Sequence, residues 1–369
     1  MRFLLFISRI IVGLVFCFSG FVKAVDPLGS CYKFTDYFTY AFDMPALAGL
    51  SLPLAFVLSA LEFTTGVMLI FKLRSNMAAW LALIFMIIFT PLTFYLALTN
   101  PVHDCGCFGD AIVLTNWETF YKNVILCVFV VFVFIKRRML DNPLSDNAEL
   151  AIAIAVFCFG LLFQHYMIRH LPIIDFRPYK VGTYIPDKMI YPEDAKRDVI
   201  EHLFIMENTQ TGEVKKFTLE EYPSDTELWK YVDREDRVIE EGYKPPIHDF
   251  TMVVPDDSTG LDYVPMLMQY ENPVLLVVMH KLEKADEDGL EMLKQLEDYA
   301  NRKEYVIGAL TSSNLDVINS VKDKYQVSMQ FFNTDDITLK TIVRANPGIV
   351  LLQKGTVMGK WNFRDFKFD

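Results

Sequence analysis

The strongest chemical signal in the sequence is a pair of cysteines separated by one glycine, Cys105-Gly106-Cys107. A disulfide between these two residues closes a very small, strained ring, and strain makes such a bond easier to reduce. Gly106 supplies the backbone freedom that the ring needs. The pattern therefore favours thiol–disulfide exchange. Cys31 is a third candidate, which could resolve a mixed disulfide or pair with either member of the Cys-Gly-Cys motif.

Two other interpretations of these residues stay open. The cysteines could form a permanent structural disulfide, with Cys31 joined to Cys105 or Cys107. A metal site made of Cys31, His103, Cys105 and Cys107 would suit zinc by ligand type, although Cys-x-Cys is a less usual spacing than Cys-x2-Cys. A protonated His103 would favour a thiolate nearby, whereas the two neighbouring aspartates would oppose it, so the sequence does not settle which effect is larger.

The 369-residue chain has two halves of very different composition. Residues 1–170 are mainly apolar and carry a net charge of about +1, whereas residues 171–369 carry about −12. All six cysteines lie in the first half, so no disulfide stabilises the second. The acidic second half excludes nucleic acid as an expected partner, because phosphates would be repelled.

Apolar stretches predict five membrane spans, each of which needs about 20 residues. They cover residues 3–22, 46–71, 77–98, 120–135 and 150–168. The first span has no clear cleavage site for a signal peptidase, so we expect a retained anchor helix and a lipid bilayer as its surroundings.

Lysine and arginine gather at the start of the chain and in the loops after spans two and four. The positive-inside rule then predicts a cytoplasmic N-terminus in a bacterial inner membrane. The loops that hold Cys31 and the cysteine pair face the periplasm, where disulfides persist. The fifth span delivers the rest of the chain to the same side.

Glu62 is an ionisable residue within the second span, where charge is costly and usually has a partner. Its role could be a hydrogen bond to Ser19, Thr64 or Tyr95, or proton transfer. Residues 31–43 alternate aromatic and polar side chains at helical spacing, which predicts a short amphipathic helix at the membrane surface.

Three motifs together resemble a known group of membrane proteins. Residues 18–24 look like the opening of DoxX-like proteins, and residues 62–66 resemble their second helix. The motif at residues 105–109, followed by Trp117 and Asn123, is similar to the methylamine-utilisation protein MauE. The resemblance covers roughly residues 1–140 and implies a four-helix bundle that takes part in disulfide formation or in maturation of periplasmic enzymes.

This family is compared with the vitamin K epoxide reductase bundle, which carries a Cys-x-x-Cys pair in a helix that faces quinone. The present chain has no such pair, so the resemblance alone does not assign quinone reduction to it. A quinone could still occupy a bundle lined with Phe, Tyr and Met side chains. The whole chain resembles a DoxX/MauE fusion of Bacteroides-type bacteria, but nothing in it encodes methylamine as a substrate.

The segment after the fifth span predicts a β-hairpin and a charged helix. The hairpin covers residues 202–206 and 214–218, and the helix lies around residues 224–231. A Gly-Tyr-Lys-Pro-Pro run at residues 242–246 marks a linker.

From residue 247 strands alternate with helices, which indicates an α/β sheet in a thioredoxin-like order. Strands are predicted at residues 250–254, 274–279 and 305–309, helices at 286–302 and 315–325, and a final hairpin at 349–352 and 357–360. Pro347 lies where thioredoxin-fold proteins place a cis-proline, so we expect a cis bond there.

Residues 279–285 stand where thioredoxins carry Cys-x-x-Cys, but they contain no cysteine. We therefore expect the tail to have the fold without dithiol chemistry and to dock a client or redox partner protein beside the membrane site. His280 within this stretch is interpreted as a solvated loop residue.

The sequence thus predicts a DoxX/MauE-like four-helix domain (1–140), a fifth span (141–170), a connecting segment (171–246) and a thioredoxin-like domain (247–369). The leading functional hypothesis is a membrane thiol–disulfide oxidoreductase that assists maturation of extracytoplasmic proteins. Its chemistry rests on Cys105 and Cys107, with Cys31 as the resolving or relay cysteine. The alternatives are a non-enzymatic assembly factor whose cysteines form a structural disulfide, and a metal-binding or transport component.

Overall fold

A computed structural model describes the chain except for residues 103, 141, 143, 197, 198, 224, 226, 227, 241, 258 and 369. The described residues form two compact units. One consists of residues 1–183 together with 251–369, and the other of residues 184–250.

The N-terminal part of the larger unit is a helical bundle. Its helices are α1 (Arg2–Val25), α2 (Pro27–Asp36), α3 (Ser51–Phe71), α4 (Ser75–Thr99), α5 (Asn116–Lys136) and α6 (Asp146–Arg169). Within the described part of the chain, five of its helices are long and apolar enough to cross a membrane, which leaves only α2 too short. The five predicted spans are confirmed as such helices.

Glycines let α1 and α3 pack with their backbones in direct contact. A Cβ added at Gly20 would lie 2.4 Å from the backbone nitrogen of Phe63, and one at Gly66 would lie 2.5 Å from that of Cys17. Small residues are the usual means of such close approach between membrane helices. The contact brings the last turn of α1 beside the middle of α3.

A polar cap turns the chain from α1 into α2. The Asp26 side chain accepts a hydrogen bond from Gly29 N at 2.9 Å, and Pro27 occupies the first position of α2, where its missing N–H costs nothing. A π-helical turn (Tyr37–Ala41) and a 3₁₀ helix (Pro45–Leu50) then lead to α3. The helix predicted for residues 31–43 is therefore present as α2 and the π-helical turn, over residues 27–41.

The loop between α4 and α5 carries the cysteine pair and has fixed ends. Asn100, in the left-handed region, ends α4. Thr115 and Glu118 form a reciprocal capping box that begins α5. We call residues 104–111 the cysteine loop. It lies between the last residue of α4 and the first residue of α5, and both of these helix ends are capped.

The smaller unit contains α7 (Ile185–Met189) and a sheet in the order β2-β1-β3. Strands β1 (Val199–Asn208) and β2 (Val214–Phe217) pair antiparallel and confirm the predicted hairpin. The predicted charged helix is wrong at residues 229–231, which belong to β3 (Trp229–Glu240); its start at Ser224 lies outside the described residues. Cross-strand pairing with β1 decides the conformation there.

The C-terminal part of the larger unit is a five-stranded sheet in the order β6-β5-β4-β7-β8. Its strands are β4 (Val274–Met279), β5 (Val306–Thr311), β6 (Gln330–Asn333), β7 (Gly348–Gln353) and β8 (Thr356–Asn362). The first three run parallel, β7 runs antiparallel to β4, and β8 runs antiparallel to β7. Every residue of β4 is buried, as expected of a central strand covered on both faces.

Short helices cover this sheet: α8 (Val264–Gln269), α9 (Glu287–Glu291), α10 (Leu293–Arg302), α11 (Leu315–Tyr325) and α12 (Asp336–Ile342). The helix predicted at residues 286–302 is divided at Met292 into α9 and α10. The strand predicted at residues 250–254 is wrong, because only Val253 makes bridges, to Asp262 and Asn333. The Asn346–Pro347 peptide bond is cis, as predicted, and lies directly before β7.

We predict that Gly20→Val destabilises the bundle by about 1–3 kcal/mol, the usual cost of overpacking a tight contact. Gly49→Val is the control, because a Cβ there meets nothing within 4 Å. Thermal unfolding in detergent should show a lower midpoint for the first variant only. Equal midpoints for both variants would contradict the close contact of α1 and α3.

Candidate functional site

The two cysteines of the Cys-Gly-Cys motif lie side by side. The Sγ atoms of Cys105 and Cys107 are 3.3 Å apart, within hydrogen-bonding distance for thiols. Gly106 between them has φ +62°, a left-handed conformation that favours glycine. Cys105 is buried and Cys107 is half-buried. The structure therefore places two thiols where they can share a proton.

Hydrogen bonds from the bundle fix the backbone on both sides of the pair. The Tyr37 hydroxyl donates to the carbonyl oxygen of Cys105, and the Ser19 hydroxyl donates to that of Cys107 at 2.6 Å. Lys33 of α2 pairs with Asp104 at 2.7 Å. α1 and α2 thus both hold the cysteine loop.

The surroundings make the two thiols unequal. A hydrogen bond from the Cys105 thiol is the largest cause that lowers the pKa of Cys107, to about 6, and it outweighs the effect of burial. The ammonium groups of Lys122 and Lys23 act in the same direction. The same hydrogen bond and burial raise the pKa of Cys105 well above its ordinary value. Cys107 is therefore the more acidic thiol of the pair and the one that ionises first. The thiolate is the reactive form of cysteine, so Cys107 is the more reactive of the two.

Glu62 pairs with Lys23 at 2.7 Å rather than with any of the three partners named from the sequence. The backbone contact of α1 and α3 brings these two side chains together. A buried carboxylate beside an ammonium is stable only as a pair. The sequence analysis did not name Lys23 as a partner of Glu62. The available signal was its position at the end of an apolar span, one α1 turn beyond Ser19, whose hydroxyl holds the cysteine loop.

A cavity extends from the cysteine loop into the bundle, and we call it the bundle cavity. Its empty space, including the mouth, is about 840 Å³. Both cysteines line it, together with polar side chains near the loop and apolar ones deeper in the bundle. The polar ones include Ser19, Lys23, Tyr37, Glu62, Lys122 and Asn123, and the apolar ones Phe16, Leu58, Phe85, Met86, Phe89 and Leu126.

Cys31 lies on α2 but does not line the bundle cavity. Lys33 and Phe34 of α2 face the cavity, as does Tyr37 in the π-helical turn that follows. The Cys31 thiol is half-buried, and burial raises its pKa, opposed in part by the ammonium of Lys340 on α12. The structure therefore brings Cys105 and Cys107 together and places Cys31 on the side of α2 that faces α12.

His103, one of the four ligands predicted for the metal alternative, lies outside the described residues. Over the residues that the structure does describe, no group of three His, Cys, Asp or Glu side chains is arranged to hold a metal ion.

Arg344, which precedes the cis-proline loop of the C-terminal sheet, reaches the cysteine loop. Its guanidinium pairs with Asp26 at 2.9 Å and with Asp110 at 3.2 Å. It also lies over the ring of Tyr32, 5.3 Å from the centroid. Burial alone would raise the pKa of Asp26, but Arg344 beside it keeps that pKa below its ordinary value. No local pattern in the sequence pointed to this residue, because its partners lie more than 200 positions away.

A second polar cluster ties the chain after α6 to the same sheet. Asp175 pairs with Arg177 at 2.8 Å and with Lys360 of β8 at 2.6 Å. Arg177 donates to the carbonyl oxygens of Lys340 and Thr341 at the end of α12. Arg177 thereby holds the C-terminal end of α12, the helix that carries Lys340.

His280 is not the solvated loop residue predicted from the sequence. It follows β4 directly, its side chain is only 16 % exposed, and its Nδ1 lies 3.5 Å from Asp336 Oδ1. Burial and then the charge of Lys340 lower its pKa to about 4, so the imidazole is neutral at physiological pH. The prediction failed because α12, which covers this position, was not recognised in the sequence.

Fold and site together define a multi-span membrane protein with a polarised thiol pair at one end of its bundle. The family described as "Methylamine utilisation protein MauE" matches residues 1–136, so this region, which runs from α1 to the end of α5, is a MauE-family domain. Residues 200–241, which hold β1 to β3, match a domain of unknown function, DUF8463. No curated protein matches the chain.

We predict that alkylation of Cys107 by iodoacetamide follows a thiolate with a midpoint near pH 6, rather than near the ordinary value of 9. In Cys105→Ala the hydrogen-bond donor is lost, so the midpoint rises; Cys105→Ser keeps a donor and shifts it less. The measurement is peptide mass spectrometry of the Cys107 peptide across pH 4–10. An unchanged midpoint in Cys105→Ala would contradict the assignment.

We also predict that Arg344→Gln loosens the cysteine loop, because removing one partner of a buried ion pair leaves its carboxylates uncompensated. Hydrogen exchange of residues 104–111 should become at least about tenfold faster. Arg302→Gln, which alters an exposed residue of α10, is the control. Unchanged exchange in Arg344→Gln would show that the tail does not hold the loop.

Proposed function

We propose that this protein is a membrane thiol–disulfide oxidoreductase that assists disulfide formation or maturation of extracytoplasmic proteins. The observation that carries the proposal is the 3.3 Å contact between the sulfurs of Cys105 and Cys107, with Cys107 as the thiolate. A MauE-family domain is consistent with a membrane protein of redox function.

The polarity of the pair favours a disulfide donor. Stabilising the thiolate of the reduced pair makes the disulfide form a stronger oxidant. A client thiolate attacks the Cys105–Cys107 disulfide and forms a mixed disulfide, and one sulfur of the pair leaves as a thiolate. The second client thiol then displaces the remaining cysteine. The client loses two electrons and gains a disulfide, and the pair becomes a dithiol.

Cys31 is proposed as the resolving or relay cysteine. Two features support this role: its thiol is half-buried rather than enclosed, and α2 carries it while also contacting the cysteine loop through Lys33. In this role the Cys31 thiolate would attack the mixed disulfide between a client and one cysteine of the pair, form a new S–S bond with the client sulfur and release the pair's sulfur as a thiolate.

The proposed setting is a bacterial inner membrane, with a cytoplasmic N-terminus and the cysteine loop and tail in the periplasm. Arg344 supports part of this topology, since its contacts with Asp26 and Asp110 put the tail and both cysteine-bearing loops at one end of the bundle. The opposite end carries the basic residues Lys72, Arg74 and Lys136. That distribution fits the positive-inside rule.

For the tail, residues 247–369, we propose a thioredoxin-like domain without Cys-x-x-Cys that selects or orients the client. Three features support it: a central parallel part of the sheet, an antiparallel final hairpin, and a cis-proline before β7. The proposed limits of the other regions are residues 1–140, 141–170 and 171–246.

Thiol trapping in intact cells tests the oxidoreductase. Acid quenching followed by a bulky maleimide should show a mixture of reduced and oxidised Cys105–Cys107 in the wild type. Cys107→Ser should abolish the oxidised pair and the function at normal protein levels. Cys158→Ser is the matched control, because this exposed cysteine lies within α6.

A pair that is fully oxidised and inert to mild reductant would contradict exchange. That result would favour the assembly factor, in which the cysteines only clamp the outer loops. Full function of Cys107→Ser would show that Cys107 is needed neither for thiol–disulfide exchange nor for a structural disulfide.

A further inference from the structure

We propose that Tyr37 is a catalytic hydrogen-bond donor of the thiol pair, and that its hydroxyl stabilises the Cys105 sulfur when this sulfur leaves as a thiolate. The inference rests on the proposed function, because it names the group that assists one step of thiol–disulfide exchange. It goes beyond that function by assigning a residue other than the three cysteines to the chemistry.

Thiol–disulfide exchange produces a Cys105 thiolate in every turnover. A client thiolate that attacks one sulfur of the pair releases the other as a thiolate, and the second client thiol then releases the attacked one from the mixed disulfide. Each cysteine therefore leaves once, whichever is attacked first. The pKa of Cys107, about 6, makes its departure easy. The hydrogen bond to Cys107 and burial hold the pKa of Cys105 well above its ordinary value, so the departure of Cys105 is the difficult one.

The side chain of Tyr37 packs against Cys105 in an enclosed apolar setting. Tyr37 is 5 % exposed and Cys105 is 8 % exposed. The two residues form one cluster with Leu92 and Leu96 of α4 and with Phe34 of α2. A negative charge on the sulfur has little access to water in such surroundings, so a donor from the protein is needed to stabilise it.

The Tyr37 hydroxyl can serve both the carbonyl oxygen and the sulfur of Cys105. It donates to the carbonyl oxygen, and it also lies within hydrogen-bonding reach of the thiol. While Cys105 is protonated, its own thiol donates to Cys107 and the hydroxyl holds the backbone. Because a hydroxyl hydrogen rotates to suit its acceptor, it can turn to the sulfur once the sulfur is negative. A hydrogen bond to a charged acceptor is about twice as strong as one to a neutral acceptor.

Tyr37 keeps its own proton during the reaction. Burial and then the two neighbouring thiols raise the pKa of Tyr37 well above its ordinary value. The hydroxyl is therefore a donor at physiological pH and not a base. The backbone here is also unusual, since Tyr37 begins the π-helical turn Tyr37–Ala41. Such turns are rare and are frequent at functional sites.

Apart from this hydroxyl, the titratable groups that face Cys105 in the described part of the chain come from the cysteine loop and α1. Cys107 lies beside it, and Lys23 of α1 favours its thiolate. Asp104 precedes it in the loop and is paired with Lys33. The side chains that α4 contributes are leucines, which carry no charge. The hydroxyl can therefore be removed while the charges around the sulfur stay the same.

Alkylation of Cys105 tests the donor directly. In full-length Cys107→Ser protein in nanodiscs, peptide mass spectrometry follows the reaction of Cys105 with iodoacetamide at about pH 8. The rate depends on the thiolate fraction, so adding Tyr37→Phe should slow it at least about tenfold, the effect of losing one hydrogen bond to a charged group. Tyr40→Phe is the matched control and should leave the rate unchanged, because Tyr40 belongs to the same π-helical turn but is 69 % exposed.

Two further measurements separate a donor from a residue that only positions the loop. In protein with both cysteines, Tyr37→Phe should leave the alkylation midpoint of Cys107 near pH 6, whereas a displaced loop would move it. Fluorotyrosine at position 37 has a hydroxyl of similar size that is a stronger donor, so it should speed the alkylation of Cys105. An unchanged Cys105 rate with both replacements, or an equal shift at Cys107, would overturn the proposal.

This proposal and the proposed function fail in different ways. Reversible oxidation of the pair in cells, with Cys105 alkylation independent of Tyr37, would remove the donor and leave the oxidoreductase standing. An inert disulfide in cells, with Cys105 alkylation still dependent on Tyr37, would overturn the catalytic role together with the oxidoreductase. Tyr37 would then only set the acidity of a structural cysteine.

Discussion

A single buried guanidinium joins the parts of this molecule that the chain separates most widely. Arg344 is 8 % exposed and is shared by Asp26, at the junction of α1 and α2, and Asp110, at the end of the cysteine loop. Removing an arginine from water is costly and is offset only by close, hydrogen-bonded carboxylates. The site therefore depends on this pairing, since the tail, the surface helix and the thiol loop meet at one charge. The cluster of Asp175, Arg177 and Lys360 adds a second link, from the chain after α6 to β8 and to the end of α12.

The electrostatics of the thiols follow from how the neighbouring acids are held. Two aspartates flank the Cys-Gly-Cys motif in the sequence and would oppose a thiolate. In the structure Lys33 neutralises Asp104, and Arg344 neutralises Asp110. Lys23 and Lys122 then act on Cys107 from α1 and α5, and the Cys105 thiol donates to it. The charged groups that act on the Cys107 sulfur are thus Lys122 and Lys23, which favour its thiolate, and Glu62, which opposes it.

Hydropathy predicted the five spans because a bilayer imposes a length and an apolar composition that any window of the sequence reveals. Strand β4 and the final hairpin were predicted for a similar reason, as their apolar runs and turn residues are local. The strand β6 and helix α12 have only four and seven residues, too short for a periodic signal, so the cover over His280 was not foreseen. The partners of Glu62 and Arg344 could not be predicted either, because each depends on packing between segments that are distant in sequence. The proximity of Cys105 and Cys107 was predictable from spacing, whereas the separate position of Cys31 required the orientation of α2.

Helix α2 has two occupied faces. Lys33 contacts the cysteine loop, as does Tyr37 directly after the helix. On the other face, Tyr32 lies under Arg344 and Lys340 of the tail, whose charged groups are 5.3 and 4.9 Å from its ring centroid. One ten-residue helix therefore contacts both the cysteine loop and the C-terminal tail, so the chain holds its thiol pair and its C-terminal sheet against the same short element.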